Sequence, residues 1–277
     1  MVYSMKDVCS LEGCIAVVTG AAQGLGLGIA EQLATDGAHV FMVDLQFSKA
    51  EAASQDLVAR GFKTSAAQLD VTDSLEVSGF FDTIATEQGR VDILVNSAGL
   101  GQDVCSVLEL SDQQWRRVIE VNLTGTFYTC RAAGQIMARQ ESGAIVNLAS
   151  INGQSPAALV AAYNAAKAAV ISLTKTLALE LAPYGVMVNA VSPGPVYTDF
   201  NKKVMAQRSE SLGISEADMI ERVRKSVPLG RWGEPVDIGR AVSFLCSPAA
   251  SWITGQVLRV SGGLEGVSAV PPKLVRQ

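Results

Sequence analysis

Short apolar runs rich in β-branched side chains alternate along the chain with longer stretches of mixed polarity. The apolar runs are 14–20 (CIAVVTG), 38–44 (AHVFMVD), 63–70 (KTSAAQLD), 91–99 (VDILVNSAG), 143–150 (GAIVNLAS), 186–194 (VMVNAVSPG) and 255–263 (GQVLRVSGG). They show little polar alternation, which is the pattern of parallel strands covered on both faces. Between them the spacing predicts helices over 24–36, 48–60, 73–89, 157–182 and 235–246. A further helix starts at Ser111, where Gln114 completes a capping-box pattern. The alternation predicts an α/β fold, a Rossmann-like doubly wound parallel sheet of about seven strands with helices on both faces. No repeat, low-complexity tract or linker interrupts it, so residues 1–277 are expected to form a single domain. One segment breaks the rhythm. Residues 195–229 are polar and mixed in charge, and an insert after a strand's carboxyl end predicts a lid over a ligand crevice.

Composition narrows the class. The hydrophobic fraction is 48% with 18% charged residues, a surplus that points to buried β-structure or subunit interfaces and predicts a homo-oligomer. Small-residue positions such as Ala161, Ala165 and Ala169 are candidates for such an interface, a dimer's or a tetramer's. A net charge of −5 lacks the electrostatic footprint of a nucleic-acid binder. No apolar run approaches bilayer length, and the first 13 residues lack the apolar core of a signal peptide, so no membrane partner is expected. Five scattered cysteines, Cys9, Cys14, Cys105, Cys130 and Cys246, have no metal-ligand spacing; the simplest expectation is a reduced, cytoplasmic compartment and no metal. His39, the single histidine, lies in an apolar run and is expected to be a strand residue. The tail at 264–277 has two prolines, which exclude a regular helix there.

The candidate chemistry begins in VVTGAAQGLGLGIAEQLA. Gly20, Gly24 and Gly26, with Gln23 and Leu25 between them, connect the first strand to the first helix. Glycines there permit a tight turn and let backbone N–H groups meet a pyrophosphate at the helix N-terminus. Asp44, followed by Leu45, ends the second strand, where a carboxylate can accept hydrogen bonds from an adenosine ribose. A carboxylate about 4 Å from a 2′-phosphate would feel roughly 4 kcal/mol of repulsion per charge. No cation lies in the glycine turn or directly after Asp44, so NAD is expected over NADP. Asp70 and Val71 follow the third strand, and Asn96, Ala98 and Gly99 the fourth, all at the carboxyl edge where such sheets bind ligands. Within AAYNAAKAAV, Tyr163 and Lys167 stand four residues apart and share one helix face.

Together these segments closely resemble the short-chain dehydrogenase/reductase family from about Leu11 to Gly263. The residues that carry the resemblance are TGAAQGLG (19–26), Asp70, NSAG (96–99), Asn122 in VNLTGTF, Ser150 in IVNLAS, YNAAK (163–167) and PGPVYT (193–198). The resemblance implies a catalytic tetrad of Asn122, Ser150, Tyr163 and Lys167, with Pro193, Gly194, Val196 and Thr198 along the nicotinamide. Ser97, Ala149, Ala166 and Ser261 depart from residues common in the family, and none of them removes a tetrad side chain. On the residues alone, Asn122 can also be read as an Asn beside a helix kink.

The implied reaction is hydride transfer between NAD(H) and a secondary alcohol or ketone. A free Tyr, with a pKa near 10, is a poor base, and bringing it to about 7 costs roughly 4 kcal/mol. An ammonium about 4 Å away supplies a term of that size. Tyr163 is thus expected as acid/base, helped by Lys167, which also grips the nicotinamide ribose; Ser150 holds the substrate oxygen and Asn122 positions a relay water. The variable pocket residues are expected at 101–104, 151–160 and 195–229. Asn152 and Gln154, together with Gln102 and Asp103, would suit a polyol or sugar. The enzymatic alternative is a 3-oxoacyl thioester reductase; such enzymes usually prefer NADPH and offer cations to an acidic carrier, whereas this chain has Asp44 and Leu179. An epimerase or dehydratase would show different glycine spacing and a larger C-terminal domain. An NAD-sensing regulator would tend to lose the Tyr or the Lys.

Overall fold

The computed structural model describes residues 9–265, so the expectations for the last twelve residues of the tail fall outside it. Seven strands form one parallel sheet: β1 (Ile15–Thr19), β2 (His39–Asp44), β3 (Thr64–Gln68), β4 (Ile93–Asn96), β5 (Gly143–Leu148), β6 (Val186–Pro193) and β7 (Val257–Val260). Their spatial order is β3-β2-β1-β4-β5-β6-β7. The helices are α1 (Gly24–Thr35), α2 (Phe47–Ala59), α3 (Ser74–Gln88), α4 (Asp112–Ile119), α5 (Gly125–Gln140), α6 (Ala161–Leu181), α7 (Asp199–Leu212), α8 (Glu216–Ser226) and α9 (Pro235–Cys246).

Successive strand side chains point to opposite faces, and the core divides accordingly. Ala16, Val18, Val40, Met42, Ile93 and Val95 join Ile29 and Leu33 of α1 and Ile238 and Val242 of α9. Val17, Phe41, Val43, Leu94 and Ile145 join Phe81 of α3 with Ala133 and Met137 of α5 on the other face. The central strands are covered on both sides, as their unbroken apolar runs require. The edge strand β7 differs: among the described residues no strand pairs with its outer side, and Leu258 is 38% exposed. His39 opens β2 and bonds the Ser65 hydroxyl at 2.9 Å, the strand role expected of it.

Two segments depart from expectation. The helix expected over 157–182 begins only at Ala161, since Leu159 has φ +72°, which no helix accommodates. The polar insert 195–229 is largely helical, forming α7 and α8. Thr198 and Ser215 cap them by accepting from the Asn201 and Asp218 amides. Met205, Met219 and Val223 give the pair a small core of their own, with Leu212, Ile220 and Trp232 packed against it. Among the described residues no helix is long and apolar enough to cross a membrane.

Candidate active site

Strand order reverses direction at β1 and β4, and in open α/β sheets ligands enter at that switch point. A cavity of about 590 Å³ opens there, along the carboxyl ends of the strands. Its first wall is the turn between β1 and α1. A Cβ on Gly20 would lie 2.7 Å from the Ala98 Cα, and one on Gly26 would overlap the Gly20 carbonyl oxygen, so both positions require glycine. Gln23 precedes α1 without capping it, and the first turn carries no acidic side chain. The helix therefore offers free N–H groups to an anion, a geometry that fits a dinucleotide's pyrophosphate.

The cavity is lined by Gly20, Gln23, Gly24, Leu25, Gly26, Asp44, Leu45, Asp70, Val71, Ala98 and Gly99, and further along by Pro193, Gly194, Val196 and Thr198. Asp44 is also part of the turn's frame: its carboxylate accepts from the Ala22 amide at 3.1 Å and the Gln46 amide at 2.9 Å. Asp70 accepts from the Thr72 amide and hydroxyl. Asn96 is a correction. It does not line the cavity; it is 4% exposed, its amide donates to Asn147 at 2.9 Å and its carbonyl accepts from Thr129. As the last residue of β4 it points into the sheet–helix interface, and the cavity is met by Ser97, Ala98 and Gly99 beyond it.

The tetrad residues converge on the same cavity. Ser150 follows β5 and accepts from the Asn152 amide, opening a short turn, Ile151–Gly153. A Cβ on Gly153 would lie 2.7 Å from the Lys167 backbone, so that turn packs directly on α6 and brings Ser150 to Tyr163. Lys167 is 5% exposed; its ammonium donates to the Leu148 carbonyl at 2.7 Å and stands 5.7 Å from the centre of the Tyr163 ring. Asn122 sits in a π-helical turn, Glu120–Thr124, between α4 and α5. Its amide donates to the Leu100 and Val118 carbonyls, while its carbonyl oxygen is buried without a partner. Gly99 brings backbone against that oxygen and beside the Lys167 ammonium. An orphan acceptor at this place suits a proton-relay water.

The electrostatics differ from the expectation that Lys167 lowers the tyrosine. Burial pushes the Tyr163 phenol up, opposed by its hydrogen bond with Ser150, and pulls the Lys167 ammonium down to about 8. The ammonium is held on a carbonyl over the ring, and loss of water governs both groups. At neutral pH Tyr163 is a phenol with a proton to give.

A family model described as enoyl-(acyl carrier protein) reductase matches residues 20–265. The chain is 37% identical over 257 residues to a 3-oxoacyl-(acyl-carrier-protein) reductase of Synechocystis sp., covering 92% of this chain and 98% of that one. The chain belongs to the short-chain dehydrogenase/reductase family. A second relative, the reductase FabG of Staphylococcus epidermidis, is 39% identical over 251 residues, covering 90% and 98% of the two chains. Among solved structures, a variant of actinorhodin polyketide ketoreductase with NADPH superposes with a TM-score of 0.88 at 34% identity, covering 95% and 99%.

Beyond Tyr163 the cavity is lined from the stretches expected to vary, 151–160 and 195–229, but mainly by their apolar side chains, which sequence reasoning did not single out. Ile151, Val160, Phe200, Val204, Met205 and Val223 make an apolar wall. The Phe200 ring lies 6.0 Å from that of Tyr163 and against Gly101. Of the polar groups expected to meet substrate, Asn152 lines the cavity, but Gln154 does not: it is exposed and accepts from Arg259 at 2.8 Å. Gln102 lines it, yet both ends of its amide are engaged at the start of α6, with Ala162 and Leu159. Asp103 holds α7 instead, through Gln207 and Lys203.

Proposed function

We propose that this oxidoreductase reduces a ketone of the 3-oxoacyl class to a secondary alcohol with NADH. The observation that carries the reading is the apolar wall, Ile151, Val160, Phe200, Val204, Met205 and Val223, that meets Tyr163 and Ser150 in one cavity. The names of the relatives support a 3-oxoacyl substrate over a polyol. The geometry supports the same choice: an alkyl chain suits the apolar wall, and a polyol would have to replace hydrogen bonds that Gln102 makes within the protein.

Ser150 and Tyr163 hold the carbonyl oxygen, which fixes the reacting carbon and stabilises charge developing on that oxygen. Tyr163 gives its proton to the oxygen. Lys167, still charged at neutral pH, offsets the resulting phenolate, and the free carbonyl of Asn122 receives the relay water that returns the proton. The glycine turn, Asp44 and the Pro193–Thr198 segment hold the nicotinamide cofactor, which supplies the hydride when bound. Asp44 favours NAD by repelling a 2′-phosphate. Helices α7 and α8 serve as the lid.

Cofactor absorbance tests this with NADH or NADPH against acetoacetyl thioester and a panel of polyols. Expected is NADH-dependent reduction of the thioester that falls at least 100-fold in Tyr163→Phe. Turnover of polyols alone would return the substrate to the hydroxylated class, and turnover with NADPH alone would remove the role given to Asp44.

A further inference from the structure

Six charged side chains line the cavity: Asp44, Asp70, Lys167, Asp199, Arg117 and Arg208. Four have partners within the protein. Asp44 and Asp70 bond backbone amides, Lys167 bonds Leu148, and Asp199 pairs with Lys202 at its exposed edge. Arg117, which is exposed, and Arg208 make no ion pair and no side-chain hydrogen bond among the described residues. Arg208 is the unusual one, because its Nε is sealed from solvent without any acceptor. Burial depresses its pKa, as a desolvated guanidinium lacking a counter-charge requires. A half-buried cation with a sealed, unpartnered N–H costs stability and is tolerated where a ligand supplies the missing acceptor.

Its place on α7 says where that charge lies. Phe200, Val204 and Arg208 follow at intervals of four, on one helix face, and all three line the cavity. Phe200 stands at the Tyr163 ring, Val204 comes next, and Arg208 is two turns on, roughly 12 Å along the axis. Helical side chains lean towards the N-terminus, so the guanidinium reaches back towards the tyrosine end. The stripe therefore offers an aromatic beside the reacting carbonyl, an aliphatic stretch, and a cation at the far end.

We propose that Arg208 is a specificity-determining residue that binds a carboxylate, and that the substrate is an oxo acid with its ketone at Tyr163 and its carboxylate at the other end of a short alkyl chain. This rests on the ketoreductase reading and puts a free carboxylate in place of the thioester, with the ketone at C3 or further along the chain. A planar guanidinium takes a carboxylate bidentately, which an ester or thioester cannot reproduce.

The test compares 3-oxobutanoate, 5-oxohexanoate and 7-oxooctanoate with their methyl esters, using the full chain and NADH or NADPH. Each pair shares its ketone and differs in charge. Wild type is expected to prefer the acid of at least one pair by roughly 10- to 150-fold in kcat/KM, the range of a charge-assisted hydrogen bond. Arg208→Gln should bring that ratio to near one, mainly through KM for the acid, and Arg208→Lys should keep part of it. The melting temperature of Arg208→Gln should equal or exceed that of wild type, since a partly desolvated, unpaired charge is gone. Esters reduced as well as acids by wild type, or an acid preference that survives Arg208→Gln, would overturn the inference and leave the ketoreductase reading standing. Failure to reduce any acid or ester, together with acetoacetyl thioester, would overturn both.

Discussion

Gly20 and Gly26 hold one wall of the cavity by backbone packed on backbone, whereas α7 and α8 hold the opposite wall through side chains resting on a small core of their own. The first wall leaves no freedom: a single methyl group overlaps a carbonyl or an α-carbon. The second is joined to the body partly by polar contacts at Asp103, with Lys203 at 3.3 Å and Gln207 at 2.9 Å, all near solvent. Rigidity where a common cofactor must be held and latitude where a particular substrate must be admitted are the division a family with one reaction and many substrates needs.

The sharpest way to break the comparison is Gly26→Ala. Its overlap with the Gly20 carbonyl should cost about 3 kcal/mol and abolish nucleotide binding, measured by chemical denaturation and calorimetry. A well-folded variant that still binds NADH would show the first wall to be as yielding as the second.

Lys167 gives an intermediate effect. Its folded pKa, about 8, lies below its ordinary 10.5, so below pH 8 the buried charge carries its full penalty, of order 3 kcal/mol. Between pH 8 and 10.5 the unfolded chain binds the extra proton, and wild-type stability gains relative to Lys167→Met. The variant's advantage in melting temperature should shrink across that window while activity is absent throughout. An advantage independent of pH would mean that Lys167 titrates normally.

The smallest effect is expected at the proposed lid, where Asp103 meets α7. Asp103→Ala removes exposed contacts worth about 1 kcal/mol or less, so KM should rise less than about fivefold, with the difference vanishing at high salt. A loss comparable to that of Gly26→Ala would make the lid as integral as the turn.

What was legible in the chain follows the same division. The sheet, the glycine turn and the Tyr163–Lys167 pair are encoded locally, in apolar runs and short spacings, and the structure brings them together as those patterns imply. Asn96 was misplaced because a motif marks a strand end without saying which side chain turns inward there; its pairing with Asn147 depends on β5, 51 residues away. Gln154 was lost to Arg259, a partner 105 residues on. Helices α7 and α8 carry too short an apolar stripe to stand out from their charges, although the Thr198 and Ser215 caps were readable signals. Nothing local distinguishes Arg208 from its charged neighbours; only its place on the cavity wall and its sealed, unpartnered Nε do.

The wide turn at Glu120–Thr124 can be understood as a slip of phase. Before the turn Val118 packs on α6, and beyond it Cys130 and Ala133 join the core on one face of the sheet. The extra residue in the π turn resets the rotation midway, and Asn122 stands at the reset. Deleting one residue from this turn would restore a smooth helix and rotate everything after it by about a quarter-turn relative to α4. No point substitution has that reach: the position of Asn122 in the site is set by how many residues the helix contains as well as by which ones.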